Sequence, residues 1–283
     1  MSGATKSPSG APSSRETAPR DERAPLAGRP RCATIAIAAV AVLGLSLTSC
    51  GGSDDDDETT ELMVLAASSL TTAFDELETT YEDEHPDVDV KLSYDSSAIL
   101  VEQVISGAPA DVLATADTDT MADAVDADMI DGEPTIFARN TMLIATPPGN
   151  PAGIQDVTDL TDATVAVCVP EAPCGAATQK LFDLNNLDVQ PATEEDNVSS
   201  VLTKVTSGEV DAGIVYVTDA QAAGDDVDTA EITHADEVIN DDPIAIIAGS
   251  DNSDAAQDWV DLVLSSDGQQ TLADLGFRTV SSG

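Results

Sequence analysis

The chain has 283 residues, of which 53 are Asp or Glu and only 11 are Lys or Arg, so its formal net charge is −42. Nucleic-acid binding needs Lys and Arg against the phosphates, and this composition argues against that class. Hydrophobic residues make up 42% of the chain, enough for a packed core, which argues against a fully disordered polypeptide. Aromatic residues are only 3%, so stacking platforms for bases or sugars are scarce.

Residues 1–49 are predicted to form a signal peptide. Basic residues precede an apolar run over 33–47, which at 15 residues is too short for a comfortable membrane span and is typical of a signal-peptide core. The run ends in Leu-Thr-Ser-Cys at 47–50, which resembles the lipobox of bacterial lipoproteins. We therefore predict that Cys50 is lipidated and anchors the protein to the outer face of the cytoplasmic membrane. An ordinary signal peptide with an accidental cysteine is the alternative.

Removal of the signal peptide makes the remaining chain more acidic. Residues 1–49 contain six basic and three acidic residues, so the chain from Cys50 keeps five basic and 50 acidic residues, a net charge of −45. Residues 50–61 are predicted to be the lipidated cysteine and a solvated acidic tether, since no apolar residue follows Cys50 there. An acidic, lysine-poor surface is usual in halophilic proteins, and we expect that origin rather than a specific cationic partner.

Two cysteines remain in the exported domain, Cys168 and Cys174, six positions apart. In an oxidising compartment a lone pair of this kind favours a disulfide. Free thiols are an alternative. A metal site is less favoured, because it needs more ligands than two thiols and both histidines lie far away in the sequence.

Strand and helix patterns alternate from Leu62 onward, which is typical of an α/β fold with a mostly parallel sheet. The first unit is predicted to contain strands at 62–67, 88–92 and 111–114 and helices at 70–81, 100–105 and 118–127. The second unit is predicted to contain strands at 141–147, 164–169, 212–217 and 244–248 and helices at 175–184, 198–207, 255–264 and 269–275.

Breaks in the pattern near Arg139 and Asp242 predict two chain crossings between two α/β lobes. Lobe 1 is then 62–139, lobe 2 is 140–241, and 242–283 returns to lobe 1. A cleft between two lobes is a usual place for a ligand.

Small polar residues lie where predicted strands give way to helices. A helix N-terminus presents unpaired N–H groups and a partial positive charge, which together favour an anion. Each serine taken singly is more typical of a plain helix cap, and the termini meet only if the cleft brings them together. The segments concerned are 66–70, 95–98, 173–176 and 195–198.

These segments and their neighbours resemble the molybdate-binding proteins of bacterial ABC transporters. The resemblance implies a two-lobed periplasmic-binding-protein fold of type II with mixed, mostly parallel sheets and a ligand cleft between the lobes. It also implies export, molybdate or tungstate as the transported ligand, and an ABC permease with its ATPase subunit as partners. The matching motifs are AASSL (66–70), SSAIL (96–100), SGAPADVLATAD (106–117), PCG (173–175), EEDNV (194–198), GEVDAGIVYVTDA (208–220) and LGF (275–277).

Members of that family hold a tetrahedral oxyanion without salt bridges, through serine hydroxyls, backbone N–H groups and one tyrosine. Neutral donors suit a chain whose surface is acidic, and none of the five basic residues lies in the polar segments. Carried over by motif, the ligand-binding residues are the hydroxyls of Ser69 and Ser97, the N–H groups of Cys174 and Val198, and Tyr216.

The turn at 173–175 departs from the family pattern. Ala176 and Ala177 follow it, where the family often has a bulky residue, and a cysteine stands at its middle. The shape of that wall of the site is therefore left open.

An enzyme is the competing class. The sequence contains no GxSxG elbow, P-loop, GxGxxG or HExxH motif, and His85 and His234 are expected on the surface. We therefore predict a binding protein that is not an enzyme, does not bind nucleic acid, and has no cofactor and no metal site beyond the oxyanion itself. Two alternatives stay open: a binding protein for another tetrahedral oxyanion such as sulfate, and an acidic surface lipoprotein without a transport role.

Overall fold

The structure is a computed structural model that describes residues 59–280. The predicted signal peptide and lipidated Cys50 lie outside those residues, as does most of the acidic tether. The tether was predicted to extend to residue 61, but Thr60 and Glu61 are already part of the first strand, where they pair with Val88 and Asp89.

Ten strands and eight α-helices form within the described residues. The hydrophobic pattern predicts seven of the strands and seven of the helices, but not β6, β8, β10 and α6. The strands are β1 (Thr60–Ala67), β2 (Val88–Asp95), β3 (Val112–Ala114), β4 (Ile130–Thr146), β5 (Val165–Cys168), β6 (Thr193–Glu195), β7 (Ala212–Tyr216), β8 (Asp228–Ala230), β9 (Ile239–Ile247) and β10 (Arg278–Thr279). The helices are α1 (Thr71–Glu84), α2 (Ser97–Ile105), α3 (Thr118–Asp126), α4 (Pro173–Leu184), α5 (Val198–Thr206), α6 (Val217–Ala223), α7 (Ser253–Leu264) and α8 (Ser266–Asp274).

The strands are ordered β2-β1-β3-β9-β4-β7-β5-β6 in a mixed sheet, and β8 and β10 pair with β4. β1 is parallel to β2 and β3, and β5 is parallel to β6 and β7. The antiparallel pairings in the described sheet all involve β4 or β9. The centre of each half is therefore parallel, as predicted, but parallel pairings do not predominate, because β4 alone makes four antiparallel ones.

β4 is longer than the sequence pattern indicates and joins the two halves of the sheet. Residues 130–141 pair with β9 beside β3, whereas residues 142–145 pair with β7 beside β5. The pairing shifts register on either side of Thr135 and Ile136, close to Pro134. Proline cannot donate a backbone hydrogen bond to a neighbouring strand and favours such irregularities. The sequence pattern therefore did not predict residues 130–140 as part of a strand.

The C-terminal helices pack on the half of the sheet that contains β1. Trp259 of α7 is fully buried, and its ring centroid lies 5.5 Å from those of Phe74 and Tyr81 on α1. The Tyr81 hydroxyl also donates to the Ala255 carbonyl at 2.9 Å. The lobe boundaries at 139/140 and 241/242 stay predictions, because β4 and β9 run through them without interruption. No helix among the described residues is both long and apolar enough to cross a membrane.

Candidate functional site

One pocket between the two halves of the sheet contains all five residues that the sequence analysis selected. Ser69 and Ser97 come from the half that contains β1, and Cys174, Val198 and Tyr216 come from the half that contains β5. The pocket encloses about 200 Å³, including the part open to solvent. The space open to a water-sized sphere is about 10 Å³. Pockets that hold drug-sized ligands measure roughly 300–1,000 Å³, so only a small solute suits this one.

The pocket is built mainly from the beginnings of helices. Ser69 lies in a single helical turn, Ser68–Leu70, between β1 and α1, and Ser97 is the first residue of α2. Cys174 and Val198 are the second and first residues of α4 and α5. Tyr216 ends β7 and caps α6. The first N–H groups of a helix have no partner within it, so the sequence places several free donors at one point.

Ser97 is oriented by a neighbouring backbone group. The Ala116 N–H donates to Ser97 Oγ at 3.0 Å, and Ser97 is only 1% exposed. A serine hydroxyl has one proton to donate, and an oxygen that already accepts keeps this proton for another partner. The Ser97 hydroxyl is therefore available to the pocket as a donor.

Tyr216 is oriented in the same way. Its hydroxyl oxygen accepts from Asn240 Nδ2 at 3.0 Å, and the residue is 1% exposed. Burial raises the pKa of Tyr216 well above its ordinary value, and the carboxyl groups of Asp242 and Asp117 raise it further. The phenol thus stays protonated at neutral pH and is a donor. Sequence reasoning identified Tyr216 but missed Asn240, which no motif marks.

The charge in the pocket wall is negative. Among the residues that the structure describes, none of the Lys or Arg side chains lines the pocket, but Asp95 does. Asp95 Oδ1 accepts from the Ser96 N–H at 2.8 Å and from Asn197 Nδ2 at 3.1 Å. Asn197 in turn caps α5 by accepting from the Ser200 N–H. The sequence marked Asp95 and Asn197 as parts of polar segments but not as partners.

Two buried carboxyl groups lie behind Tyr216. Asp219 accepts from the Tyr216 N–H at 3.0 Å, and burial raises its pKa to about 7. Asp242 is fully buried, and neither of its carboxyl oxygens has a hydrogen-bond partner within residues 59–280. Burial, together with the nearby charge of Asp241, raises the pKa of Asp242 well above its ordinary value. This shift favours the neutral, protonated form of Asp242.

The turn that carries Cys174 is held by a disulfide to Cys168, as the cysteine count predicts, with the two Cα atoms 5.7 Å apart. The bond ties the end of β5 to the start of α4. Gly175 is required by the same turn, since a Cβ atom there would lie 1.9 Å from the Val169 carbonyl oxygen. Ala176 and Ala177 do not line the pocket but line a neighbouring cavity of about 160 Å³.

A metal centre finds no support in the part of the chain that the structure describes. No three His, Cys, Asp or Glu side chains there are grouped so as to hold a metal ion.

Comparison with known proteins finds a matching family model and a similar binding protein. A family model described as "Bacterial extracellular solute-binding protein" matches residues 62–278. The molybdate-binding protein ModA of Mycobacterium tuberculosis H37Rv is 36% identical over 212 residues, which is 74% of this chain and 81% of that protein.

Two solved structures share the fold. The periplasmic molybdate-binding protein of Azotobacter vinelandii superposes with a TM-score of 0.67 at 15% identity, over 78% of this chain and all of that one. The sulfate-binding protein SubI of M. tuberculosis gives 0.66 at 20% identity, over 78% of this chain and 88% of that one. These matches confirm the fold class expected from the sequence, the two-lobed α/β fold of type II periplasmic binding proteins.

Proposed function

The chain belongs to the bacterial extracellular solute-binding proteins, and we propose that its solute is the molybdate dianion. Tungstate has nearly the same size and shape, and we expect it to bind as well. The bound oxyanion is delivered to an ABC permease that works with an ATPase subunit. The protein itself carries out no catalysis and uses no cofactor.

The observation that carries this proposal is the arrangement of two hydroxyl donors in a pocket without cations. Ser97 and Tyr216 each accept from a neighbouring N–H group, which leaves their own protons free for a ligand. A dianion removed from water needs several donors to replace its hydration. Neutral donors supply them, and they do not depend on basic residues, of which the exported chain has only five.

Three further donors complete the proposed ligand set. The backbone N–H groups of Cys174 and Val198 stand at helix positions that have no partner within the helix. The Ser69 hydroxyl stands in the pocket wall and is 8% exposed. With Ser97 and Tyr216 these groups approach the ligand from both halves of the sheet, so a bound oxyanion joins the halves.

Sulfate is the second candidate, because the fold of SubI is as similar to this chain as that of the Azotobacter protein. The sequence favours molybdate, since the 36% identical relative is a molybdate-binding protein. With neutral donors, discrimination rests on the size of the pocket. Sulfate is the smaller anion, and it leaves some of the donors unfilled.

We also propose that Cys50 carries the lipid and that the acidic segment after it tethers the domain to the outer face of the cytoplasmic membrane. The lipobox-like sequence at 47–50 and the polar residues that follow support this location. A surface lipoprotein without a transport role would share this anchor but would not bind an oxyanion.

The test is calorimetric titration of the purified protein with molybdate, tungstate, sulfate and phosphate at the same pH and salt. We expect one molybdate per chain, competition by tungstate, and much weaker binding of sulfate and phosphate. Tighter binding of sulfate would support the second candidate. If none of the four anions binds, the proposal is wrong.

A further inference from the structure

A side chain outside the pocket contacts the groups that form it. Asn240 of β9 is 7% exposed and does not line the pocket. Its Nδ2 donates to the Tyr216 hydroxyl oxygen at 3.0 Å and to the Ala116 carbonyl oxygen at 2.8 Å. An amide nitrogen carries two protons and accepts nothing, so both protons of Asn240 Nδ2 are used in these bonds.

The direction of these hydrogen bonds determines whether the Tyr216 hydroxyl can donate its proton to a ligand in the pocket. Because Asn240 Nδ2 donates, the Tyr216 oxygen must accept, and the phenol proton is turned to another partner. The same amide holds the Ala116 peptide group by its carbonyl, while the Ala116 N–H donates to Ser97 Oγ at 3.0 Å. One side chain therefore contacts Tyr216 directly and Ser97 through a single residue.

We propose that Asn240 is a positioning residue for the oxyanion site, which it serves by keeping Tyr216, and through Ala116 also Ser97, as hydrogen-bond donors. The inference rests on the proposed function, since it concerns the donors that would hold the oxyanion. Donors that already point into the pocket need not be reoriented when the ligand arrives, and such preorganisation adds to affinity.

The Tyr216 hydroxyl lies in a buried and acidic environment. Three carboxyl groups, those of Asp242, Asp117 and Asp219, are close enough to raise the pKa of Tyr216 together with burial. The bond from Asn240 fixes the acceptor side of the Tyr216 oxygen and limits the directions in which its proton can point.

A double-mutant cycle tests the route through Tyr216. Asn240→Leu, Tyr216→Phe and the double variant are titrated with molybdate. We expect Asn240→Leu to weaken binding about tenfold in the wild-type background, the effect of losing roughly one hydrogen bond. In the Tyr216→Phe background the same change should cost less than about threefold, because the hydroxyl that it orients is gone. Equal losses in both backgrounds would overturn the inference, since a merely structural role is independent of that hydroxyl.

Asn140 provides a matched control. It lies directly opposite Asn240 in the β4–β9 pairing, is 2% exposed, and donates to Thr218 Oγ1 at 2.8 Å rather than to a pocket hydroxyl. Asn140→Leu should lower stability while changing molybdate affinity by less than about twofold. If it weakens binding as much as Asn240→Leu, the effect belongs to the strand pair and not to Asn240.

A second variant guards against failure of Asn240→Leu to fold. Asn240→Asp keeps the size of the side chain but replaces the donor by an oxygen that accepts the phenol proton. Its affinity for molybdate should fall at least as far as that of Asn240→Leu, and wild-type affinity in this variant would overturn the inference.

Titration of the wild type with molybdate and sulfate separates this inference from the proposed function. If sulfate binds instead of molybdate, the same cycle is measured with sulfate, and if neither binds, both proposals are wrong.

Discussion

Asp95 and Asn197 meet across the pocket, where Asn197 Nδ2 donates to Asp95 Oδ1 at 3.1 Å. The bond joins the end of β2 to the residue that caps α5, so it links the two halves of the sheet beside the proposed oxyanion. It also holds a carboxylate in the wall of a pocket proposed to bind a dianion. The hydrogen bond holds the two halves of the pocket together, which favours binding, whereas the negative charge of Asp95 repels the dianion. A substitution that keeps the bond and removes the charge can separate these two effects.

Asp95→Asn should tighten molybdate binding. The asparagine oxygen still accepts from Asn197, while the negative charge near the dianion is removed, a gain on the order of 1 kcal/mol for charges in a partly solvated site. Calorimetry measures the change. Asp87→Asn is the control, because it removes the same charge from an exposed position outside the pocket. If both variants gain equally, the effect comes from net charge, and weaker binding by Asp95→Asn would contradict the prediction.

Ser69→Ala and Ser97→Ala should each weaken molybdate binding. Each removes a hydrogen bond to a charged ligand, at a cost of roughly 1.5–3 kcal/mol. Isothermal titration measures the loss, and Ser266→Ala, at an exposed position on α8, should bind as wild type does. Unchanged affinity in both pocket variants would show that the ligand set is wrongly assigned.

Reduction of the disulfide between Cys168 and Cys174 should lower the free energy of unfolding. The bond closes a loop of about seven residues, for which the chain-entropy model gives roughly 2.4 kcal/mol. Urea unfolding with and without a reductant measures the difference, and the buried Trp259 is the fluorescent probe. A Cys168→Ser, Cys174→Ser double variant should not respond to the reductant. We expect molybdate affinity to fall as well, because the bond holds the turn that presents the Cys174 N–H. Two free thiols in the exported protein would contradict this account.

The stability of the protein should decrease between about pH 4 and pH 7 because of Asp219. Burial raises the pKa of this carboxyl from 3.8 to about 7 in the folded protein. In that interval the folded state therefore holds a proton that the unfolded state has released. Since stability falls with pH wherever the folded state binds more protons, the contribution of Asp219 is lost as the pH rises. The measurement is the free energy of unfolding against pH for the wild type and Asp219→Asn. The difference between the two curves should slope downward, and a parallel pair of curves would contradict the prediction.

Added salt should raise the rate at which molybdate associates. With the predicted signal peptide removed, the chain carries −45 and repels a dianion at long range. Salt screens this repulsion over about 8 Å at 0.15 M and about 3 Å at 1 M. Hydroxyl and N–H donors within a dehydrated pocket are screened much less, so dissociation should change little. Stopped-flow mixing from low to molar NaCl measures both rates, at salt concentrations where the protein is fully folded. An association rate that falls with salt would indicate a local positive potential and contradict a site without cations.

The sequence by itself was sufficient for the features that depend on neighbours along the chain. Hydrophobic periodicity located the parallel strands except β6, and most helices. Small polar residues marked the helix starts that carry Ser97 and Val198. All five residues that the motif resemblance selected lie in the lining of one pocket. The count of cysteines in the exported domain was enough to predict the disulfide.

Tertiary structure alone decided which distant groups orient the site. Asn240 reaches Tyr216 across 24 positions and Ala116 across 124, and Asp95 reaches Asn197 across 102. These contacts depend on strand register and on how the halves of the sheet face each other, which a local pattern of residues does not encode. The same holds for the first part of β4, whose pairing is irregular near Pro134 and whose partner β9 lies about a hundred residues later. A hydrogen bond depends on the positions of both the donor and the acceptor. When these belong to residues far apart in the chain, only the tertiary fold brings them together.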